Sequence, residues 1–296
     1  MSHEKELLSF DTSNLNVDLN EKQPEVQLLQ HLSTTGCAVI KNHEVPIYLF
    51  EDVIDQWKQF FSCEEKYNWL RTDLTDEGFI PINAERARKD EVADFKELYQ
   101  THYQGKYPNS INIHSTQQLF NGLVKLGEKL IDLLDISLPS SIKNNMSMTL
   151  PEMVRGNNNH LIRIIHYPPI ERGIKALRAA PHTDICLFTM ILGGTVNGLE
   201  LKDHNDVWYE PIANDASIVI FNSEMLELAT NGYLKAVVHR VKTNPNSYTE
   251  SRYSIPIGFH PRRQALLKKG LTAAEHLCIR LNEMGYNGNL LNLKDN

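Results

Sequence analysis

The chain has 296 residues, of which 41% are hydrophobic and 23% are charged, a composition typical of folded globular proteins. Its formal net charge of −7 argues against a nucleic-acid-binding protein, which usually has a basic face, but leaves room for a local basic pocket that binds an acidic small molecule. No stretch approaches the about 18 apolar residues of a membrane span, so we expect no membrane partner.

The N-terminal residues are charged and lack the apolar segment of a signal peptide. Four cysteines are scattered along the chain and form no CxxC pair, which is typical of a protein that keeps its thiols reduced. We therefore predict a cytoplasmic protein.

Helices are predicted mainly in the first half of the chain. Hydrophobic spacing predicts three of them, over residues 25–32, 46–61 and 115–134. Between them, residues 37–40 predict a short buried strand, residues 7–19 a short strand with a loop, and the polar residues 73–89 mostly loop.

Short strands separated by Gly, Asn and Pro turn signals are predicted in the second half, at residues 161–167, 185–192, 199–202, 207–210, 217–221, 236–242 and 253–259. A final amphipathic helix is predicted over residues 272–284. Many short strands at this spacing indicate a barrel or sandwich. We expect residues 1–150 to form a helical cap region and residues 151–296 the β core, joined in one compact unit because strand 37–40 needs a sheet to join.

A candidate metal site lies at the start of one predicted strand. His182 and Asp184 are two residues apart, and such residues on an extended strand point to the same face. His239 lies in a second predicted strand. Two histidines and one carboxylate are the facial ligand set of non-haem iron(II) enzymes, whereas the HxH pair common in cupins is absent from the sequence.

Arg252 and Ser254 form a second pair of residues two apart on a predicted strand. A guanidinium binds a carboxylate through two parallel hydrogen bonds, and a serine hydroxyl can add a third donor. The two side chains are therefore expected on one face of that strand, with chemistry that suits a carboxylate.

The order of these motifs resembles the iron(II)/2-oxoglutarate-dependent dioxygenases of the isopenicillin N synthase-like subfamily. The resemblance covers nearly the whole chain. It is carried by Gly36 to Pro46, Asp94-Phe95-Lys96-Glu97, His166-Tyr167-Pro168-Pro169, His182-Thr183-Asp184, His239-Arg240-Val241 and Arg252-Tyr253-Ser254.

The resemblance implies a double-stranded β-helix, or jelly roll, wrapped by N-terminal and C-terminal helices. It implies iron(II) bound by His182, Asp184 and His239. It further implies 2-oxoglutarate as cosubstrate, bound through Arg252, Ser254 and Tyr167, and O2 as oxidant. The expected reaction is hydroxylation, desaturation or ring closure of a small molecule, with release of succinate and CO2. One residue departs from the subfamily pattern, because Ile165 stands where an asparagine is expected.

Six further residues are expected to line the substrate pocket: Phe79, Ile80, Arg86, Arg88, Phe188 and Phe259. The two arginines are candidates for anchoring a substrate carboxylate. Two other functions stay open at this point. An oxidase of the isopenicillin N synthase type keeps the same residues without using 2-oxoglutarate, and a jelly roll without catalytic activity could serve as a binding protein.

Overall fold

The computed structural model describes residues 9–11, 23–72, 77–86, 93–172, 176–192, 198–203, 206–211 and 217–285. Its α-helices are α1 (Gln23–Thr34), α2 (Ile47–Ser62), α3 (Ile113–Ser137), α4 (Ser140–Lys143), α5 (Leu150–Val154), α6 (Glu224–Ala229) and α7 (Ala273–Glu283). Short 3₁₀ helices cover Glu64–Trp69 and Pro245–Tyr248. None of the helices described is both long and apolar enough to cross a membrane.

The strands that precede the polar break near residue 156 are β1 (Ser9–Asp11), β2 (Cys37–Lys41), β3 (Gly78–Ile80) and β4 (Glu97–Thr101). The strands that follow it are β5 (Leu161–Tyr167), β6 (Ala179–His182), β7 (Phe188–Leu192), β8 (Leu199–Lys202), β9 (Trp208–Tyr209), β10 (Ile218–Asn222), β11 (His239–Val241), β12 (Arg252–Ser254), β13 (Pro256–Phe259), β14 (Leu266–Lys268) and β15 (Leu271–Thr272).

The strands form two main sheets. The major sheet has the order β1-β2-β10-β7-β13-β5-β4-β3, with β12 also paired to β5, and the minor sheet has the order β6-β11-β8-β9. The pairings within both are antiparallel, apart from the parallel pair β1–β2. Strands β14 and β15 form a separate hairpin.

The period-2 alternation of side chains explains how the layers pack. Cys37 and Val39 of β2 pack in one cluster with Leu199, Leu201 and Tyr209 of the minor sheet. Ala38, between them, belongs instead to the large cluster that contains the buried faces of α1, α2 and α3. The major sheet therefore faces the minor sheet on one side and the long helices on the other, as in a jelly roll with a helical cover.

The turn between α1 and β2 depends on Gly36. Its φ is +73°, and an added Cβ would lie 2.2 Å from Cγ2 of Val237. We expect Gly36→Ala to lower the free energy of unfolding by about 2–4 kcal/mol, because backbone strain and a steric clash act together. Urea unfolding followed by circular dichroism measures this loss.

Gly156→Ala is the matched control for this prediction. Gly156 has a similar φ of +68°, but nothing lies within 4 Å of the added Cβ. This variant should lose only the strain contribution of about 1–2 kcal/mol. Equal losses in the two variants would show that the contact with Val237 contributes nothing.

Candidate metal centre

A cavity of about 250 Å³ opens between the two sheets. Its walls contain alternate residues of β5, namely Leu161, Arg163, Ile165 and Tyr167, together with residues of β7, β12 and β13. Helix α7 closes one side through residues that include Leu277 and Leu281. The minor sheet contributes His182 and His239.

His182, Asp184 and His239 converge in this cavity, and one candidate ligand atom from each lies within 4.8 Å of the other two. Oδ1 of Asp184 is 3.7 Å from Nε2 of His182 and 3.8 Å from Nε2 of His239. The two histidines are paired across β6 and β11. The arrangement offers two imidazole nitrogens and one carboxylate oxygen to a single ion, a donor set that suits iron(II).

The reason for this convergence differs from the one expected. Strand β6 ends at His182, and Asp184 lies in the irregular connection to β7, so the two residues do not share a regular strand. The backbone N–H of Glu224 donates a hydrogen bond of 2.9 Å to the carbonyl of Asp184. The connection is thus held by α6, and not by strand geometry.

Neighbouring groups orient each of the three side chains. Nδ1 of His182 lies 2.8 Å from the carbonyl of Ala180. Because a carbonyl only accepts, Nδ1 is the donor in this contact, and Nε2 is the ring nitrogen that lies near Asp184. The hydroxyl of Thr189 donates to Oδ2 of Asp184, which leaves Oδ1 facing the histidines. Such outer contacts fix ligand geometry in metal sites.

The pKa directions also suit metal binding. Burial, followed by the charge of His182, lowers the pKa of His239 to about 4. Burial raises the pKa of Asp184, but His239, His182 and the Thr189 hydrogen bond lower it by more, so the net direction is downward. At neutral pH His239 is therefore a neutral imidazole and Asp184 a carboxylate, the protonation states in which these groups bind metals.

Glu224 joins the segment between the ligands to the C-terminal helix. Its Oε1 accepts a hydrogen bond of 2.5 Å from the hydroxyl of Thr183. Its Oε2 lies 3.0 Å from Nε2 of His276 and 2.9 Å from Nε of Arg280, both on α7. The carboxylate of Glu224 therefore joins the segment between β6 and β7 to α7, the helix that lines one side of the cavity.

We expect Glu224→Ala to weaken metal affinity by about 10–100-fold, the usual cost of losing an outer-shell contact. Titration with Co(II) as a spectroscopic substitute measures the affinity. Glu283→Gln is the control, because Glu283 also pairs with Arg280 but makes no contact with Thr183 in the part of the chain described. A similar loss in both variants would contradict a role for the Thr183 contact.

The other end of the cavity contains Arg252 and Ser254. Strand β12 places them opposite Tyr167 and Ile165 of β5, and all four residues line the cavity. The Arg252 guanidinium lies over the Tyr167 ring, 4.8 Å from its centroid. Burial lowers the pKa of Arg252, and Tyr167 opposes that shift.

Arg178, which no sequence pattern marks, packs against Tyr167 and lies outside the described cavity wall. Its guanidinium lies 5.9 Å from the Tyr167 ring centroid, and it donates a hydrogen bond of 3.2 Å to the carbonyl of Glu250. No motif marks this residue, because its partners lie far from it in the sequence.

The expected substrate-pocket residues divide into three groups. Arg86 lines the cavity, and Arg88 lies outside the described residues. The other four are core residues and are not found in the cavity wall: Phe79, Ile80, Phe188 and Phe259.

The alternation of side chains along the strands explains where the phenylalanines lie. On β7 it is Thr189 that faces the cavity, so Phe188 points to the helices. Phe259 stacks on Phe188 with ring centroids 4.8 Å apart. Phe79 packs edge-on against Phe60 of α2. Ile80 packs in a small cluster with Leu98 and with residues that themselves line the cavity, such as Ile165.

A buried ionic cluster beside the metal centre was also missed. Nζ of Lys96 lies 2.9 Å from Glu85 and 2.8 Å from Asp94. The other oxygen of Asp94 accepts a hydrogen bond of 3.0 Å from the backbone N–H of Ala180. The Asp-Phe-Lys-Glu motif therefore supports β6, the strand that ends in His182.

Comparisons with known proteins agree with this fold and site. The 2OG-Fe(II) oxygenase superfamily model matches residues 158–261. The model for the N-terminal region of non-haem dioxygenases in morphine synthesis matches residues 9–120. A candidate oxygenase from Shewanella oneidensis of known structure is 29% identical, with a TM-score of 0.80 over 94% of this chain and 99% of that one.

Two curated relatives are enzymes. The 2-oxoglutarate-dependent dioxygenase ecdK of Aspergillus rugulosus is 24% identical over 277 residues, covering 80% of this chain and 82% of that protein. The 2'-deoxymugineic-acid 2'-dioxygenase of Hordeum vulgare is 35% identical over 109 residues, covering 37% of this chain and only 31% of that protein. Residues 158–261 therefore form a domain of the 2OG-Fe(II) oxygenase superfamily, whose cofactor and cosubstrate are iron(II) and 2-oxoglutarate.

Proposed function

We propose that the protein is an iron(II)- and 2-oxoglutarate-dependent dioxygenase that oxidises a small organic molecule. The observation that carries the proposal is the convergence of His182, Asp184 and His239, with Oδ1 of Asp184 at 3.7 Å and 3.8 Å from the two Nε2 atoms. These three side chains would hold the iron. The bound ion would supply the position at which the keto acid and O2 react.

The protein's own residues bind and orient the reactants in this proposal. Arg252 and Ser254 donate hydrogen bonds to the distal carboxylate of 2-oxoglutarate, and the Tyr167 hydroxyl adds a further donor. Ile165, which lies opposite Ser254, offers no hydrogen bond, so recognition of this carboxylate depends more strongly on Arg252. Apolar residues of the wall, such as Ile185 and Met225, keep water from the reacting atoms.

The reaction is hydroxylation, desaturation or ring closure, with 2-oxoglutarate converted to succinate and CO2. A small-molecule substrate is typical of the superfamily. We extend the proposal to a cytoplasmic protein that binds neither nucleic acid nor membranes. The net charge of −7 and the four free cysteines support this extension.

The test is an anaerobic titration of 2-oxoglutarate into protein loaded with iron(II), followed by addition of O2. A visible metal-to-keto-acid charge-transfer band and subsequent succinate release are expected. Iron binding without the band would favour an oxidase that does not use 2-oxoglutarate. Failure to bind iron would favour a binding protein without catalytic activity.

A further inference from the structure

The cavity wall is basic although the whole chain is acidic. Five arginines line the cavity in addition to Arg252, namely Arg71, Arg86, Arg163, Arg263 and Arg280. The carboxylates in the described wall are Glu85, Asp94 and Asp184, and Asp184 belongs to the metal centre. A wall of this composition attracts anions, and the cosubstrate is expected to occupy Arg252 alone.

Arg163 is the arginine that a rigid strand directs into the cavity. It lies on β5, on the same face as Ile165 and Tyr167. Tyr167 lies four positions after Arg163, about 13 Å further along an extended strand. An anion at Arg163 would therefore be distinct from the cosubstrate carboxylate at the Tyr167 end.

Arg163 is also the exposed member of the ionic cluster. Its Nη1 lies 3.3 Å from Oε1 of Glu85, and its side chain is 33% exposed whereas that of Glu85 is 7% exposed. The second oxygen of Glu85 is held by Lys96 at 2.9 Å. An acid group that reaches Arg163 therefore competes with Glu85 for the guanidinium donors.

Apolar side chains also line the wall near the metal centre. Ile185 lies in the connection between β6 and β7, Met225 lies on α6, and Leu277 and Leu281 lie on α7. A largely apolar cavity with a few placed polar groups is typical of small-molecule sites. The combination selects a ligand that has both an apolar body and a charged group.

We propose that the primary substrate is an organic anion with an apolar body, and that Arg163 binds its acid group while Glu85 limits the strength of that binding. This inference rests on the proposed dioxygenase function, since it names the substrate class of that site. Arg163 is a specificity-determining residue in this proposal, and it takes no part in binding iron or 2-oxoglutarate.

The test uses two fluorescent probes that differ by one acid group, 8-anilino-1-naphthalenesulfonate and the neutral N-phenyl-1-naphthylamine. Both are titrated anaerobically into full-length protein that holds iron(II) and saturating 2-oxoglutarate. We expect Arg163→Gln to weaken binding of the sulfonate by about tenfold, the usual loss for a charge-assisted contact, with little change for the neutral probe. Glu85→Gln should act in the opposite direction and strengthen sulfonate binding, because it removes the competing carboxylate.

Two further variants keep the result interpretable. Arg163→Lys retains the charge and the Glu85 contact, so it should bind the sulfonate more tightly than Arg163→Gln even if the latter is destabilised. Arg155→Gln removes an exposed arginine at the end of α5, and should match the wild type.

Equal sulfonate affinity in the wild type, Arg163→Gln and Glu85→Gln would overturn the proposal, as would wild-type protein that does not prefer the sulfonate to the neutral probe. The charge-transfer band is recorded in the same samples. Loss of that band in the wild type refutes the proposed function, whereas an intact band without anion selectivity refutes only the substrate class.

Discussion

A His239→Ala variant should lose iron(II) binding and, with it, succinate formation, by about 10³-fold or more. Among the described residues, His239 is one of three side-chain donors that converge in the site, and two remaining donors hold a divalent ion far more weakly. The chain should still fold, because the substitution removes one imidazole at the start of a three-residue strand. Iron content after gel filtration and succinate release measure the two losses.

Ligand linkage gives an independent measurement of the same variant. A metal that binds only the folded state at about 100 times its Kd adds about 2.7 kcal/mol to the free energy of unfolding. Iron(II) should therefore raise the melting temperature of the wild type and leave that of His239→Ala unchanged.

His166→Ala is the control for this pair of measurements. His166 lies on β5 but faces away from the cavity, where it contacts Glu97 and stacks on Tyr253. It should bind iron like the wild type even if its melting temperature falls. Iron-dependent stabilisation of His239→Ala equal to that of the wild type would contradict the proposed ligand set.

Local periodicity predicts much of this fold from the sequence. The strand predicted at residues 161–167 coincides with β5, and Leu199–Lys202 coincides with the strand predicted there. The helix expected at residues 272–284 is α7, which begins at a capping box formed by Thr272 and Glu275. These elements are marked by nearby residues, because the alternation of side chains in a strand, the hydrophobic spacing of a helix and a helix cap all involve positions a few residues apart.

The site depends more on contacts that the sequence does not show. Glu224 reaches Thr183 across 41 positions, and Asp94 reaches Ala180 across 86 positions. Neither pair has a spacing rule, so no periodic pattern could reveal it. Arg163 is likewise an ordinary strand residue until the layers are assembled, because the cavity face of β5 is defined only by the minor sheet packed against it.

The rule that alternate residues of a strand share a face succeeds at one place in the site and fails at another. Arg252 and Ser254 share a face because β12 is a regular strand paired with β5, so a spacing of two is informative there. Counting alternate residues from Asp184 would direct Phe188 into the cavity, whereas it is Thr189 that faces the cavity. The count fails because the connection that contains Asp184 is irregular. The rule therefore holds only where the strand boundaries are correct.

Arg252→Leu should raise the KM for 2-oxoglutarate by about 100-fold and change kcat much less at saturating cosubstrate. The guanidinium lies at the cavity end occupied by Tyr167, 4.8 Å from its ring centroid, and a charge-assisted, two-point contact with a carboxylate contributes about 1.5–3 kcal/mol. Because Ile165 supplies no donor beside Ser254, the carboxylate would keep only the neutral hydroxyls of Ser254 and Tyr167 in the proposed cosubstrate site. Succinate formation over a range of 2-oxoglutarate concentrations gives both constants.

Arg178→Leu distinguishes cosubstrate binding from simple packing on Tyr167. Arg178 also lies over the Tyr167 ring, at 5.9 Å, but donates to the carbonyl of Glu250 and is absent from the described cavity wall. It should raise the KM by less than about tenfold, through a small displacement of Tyr167. Equal effects of the two variants would mean that the position of Tyr167, and not the charge of Arg252, determines affinity. A large effect of Arg252→Leu alone would identify its guanidinium as the group that recognises the keto acid.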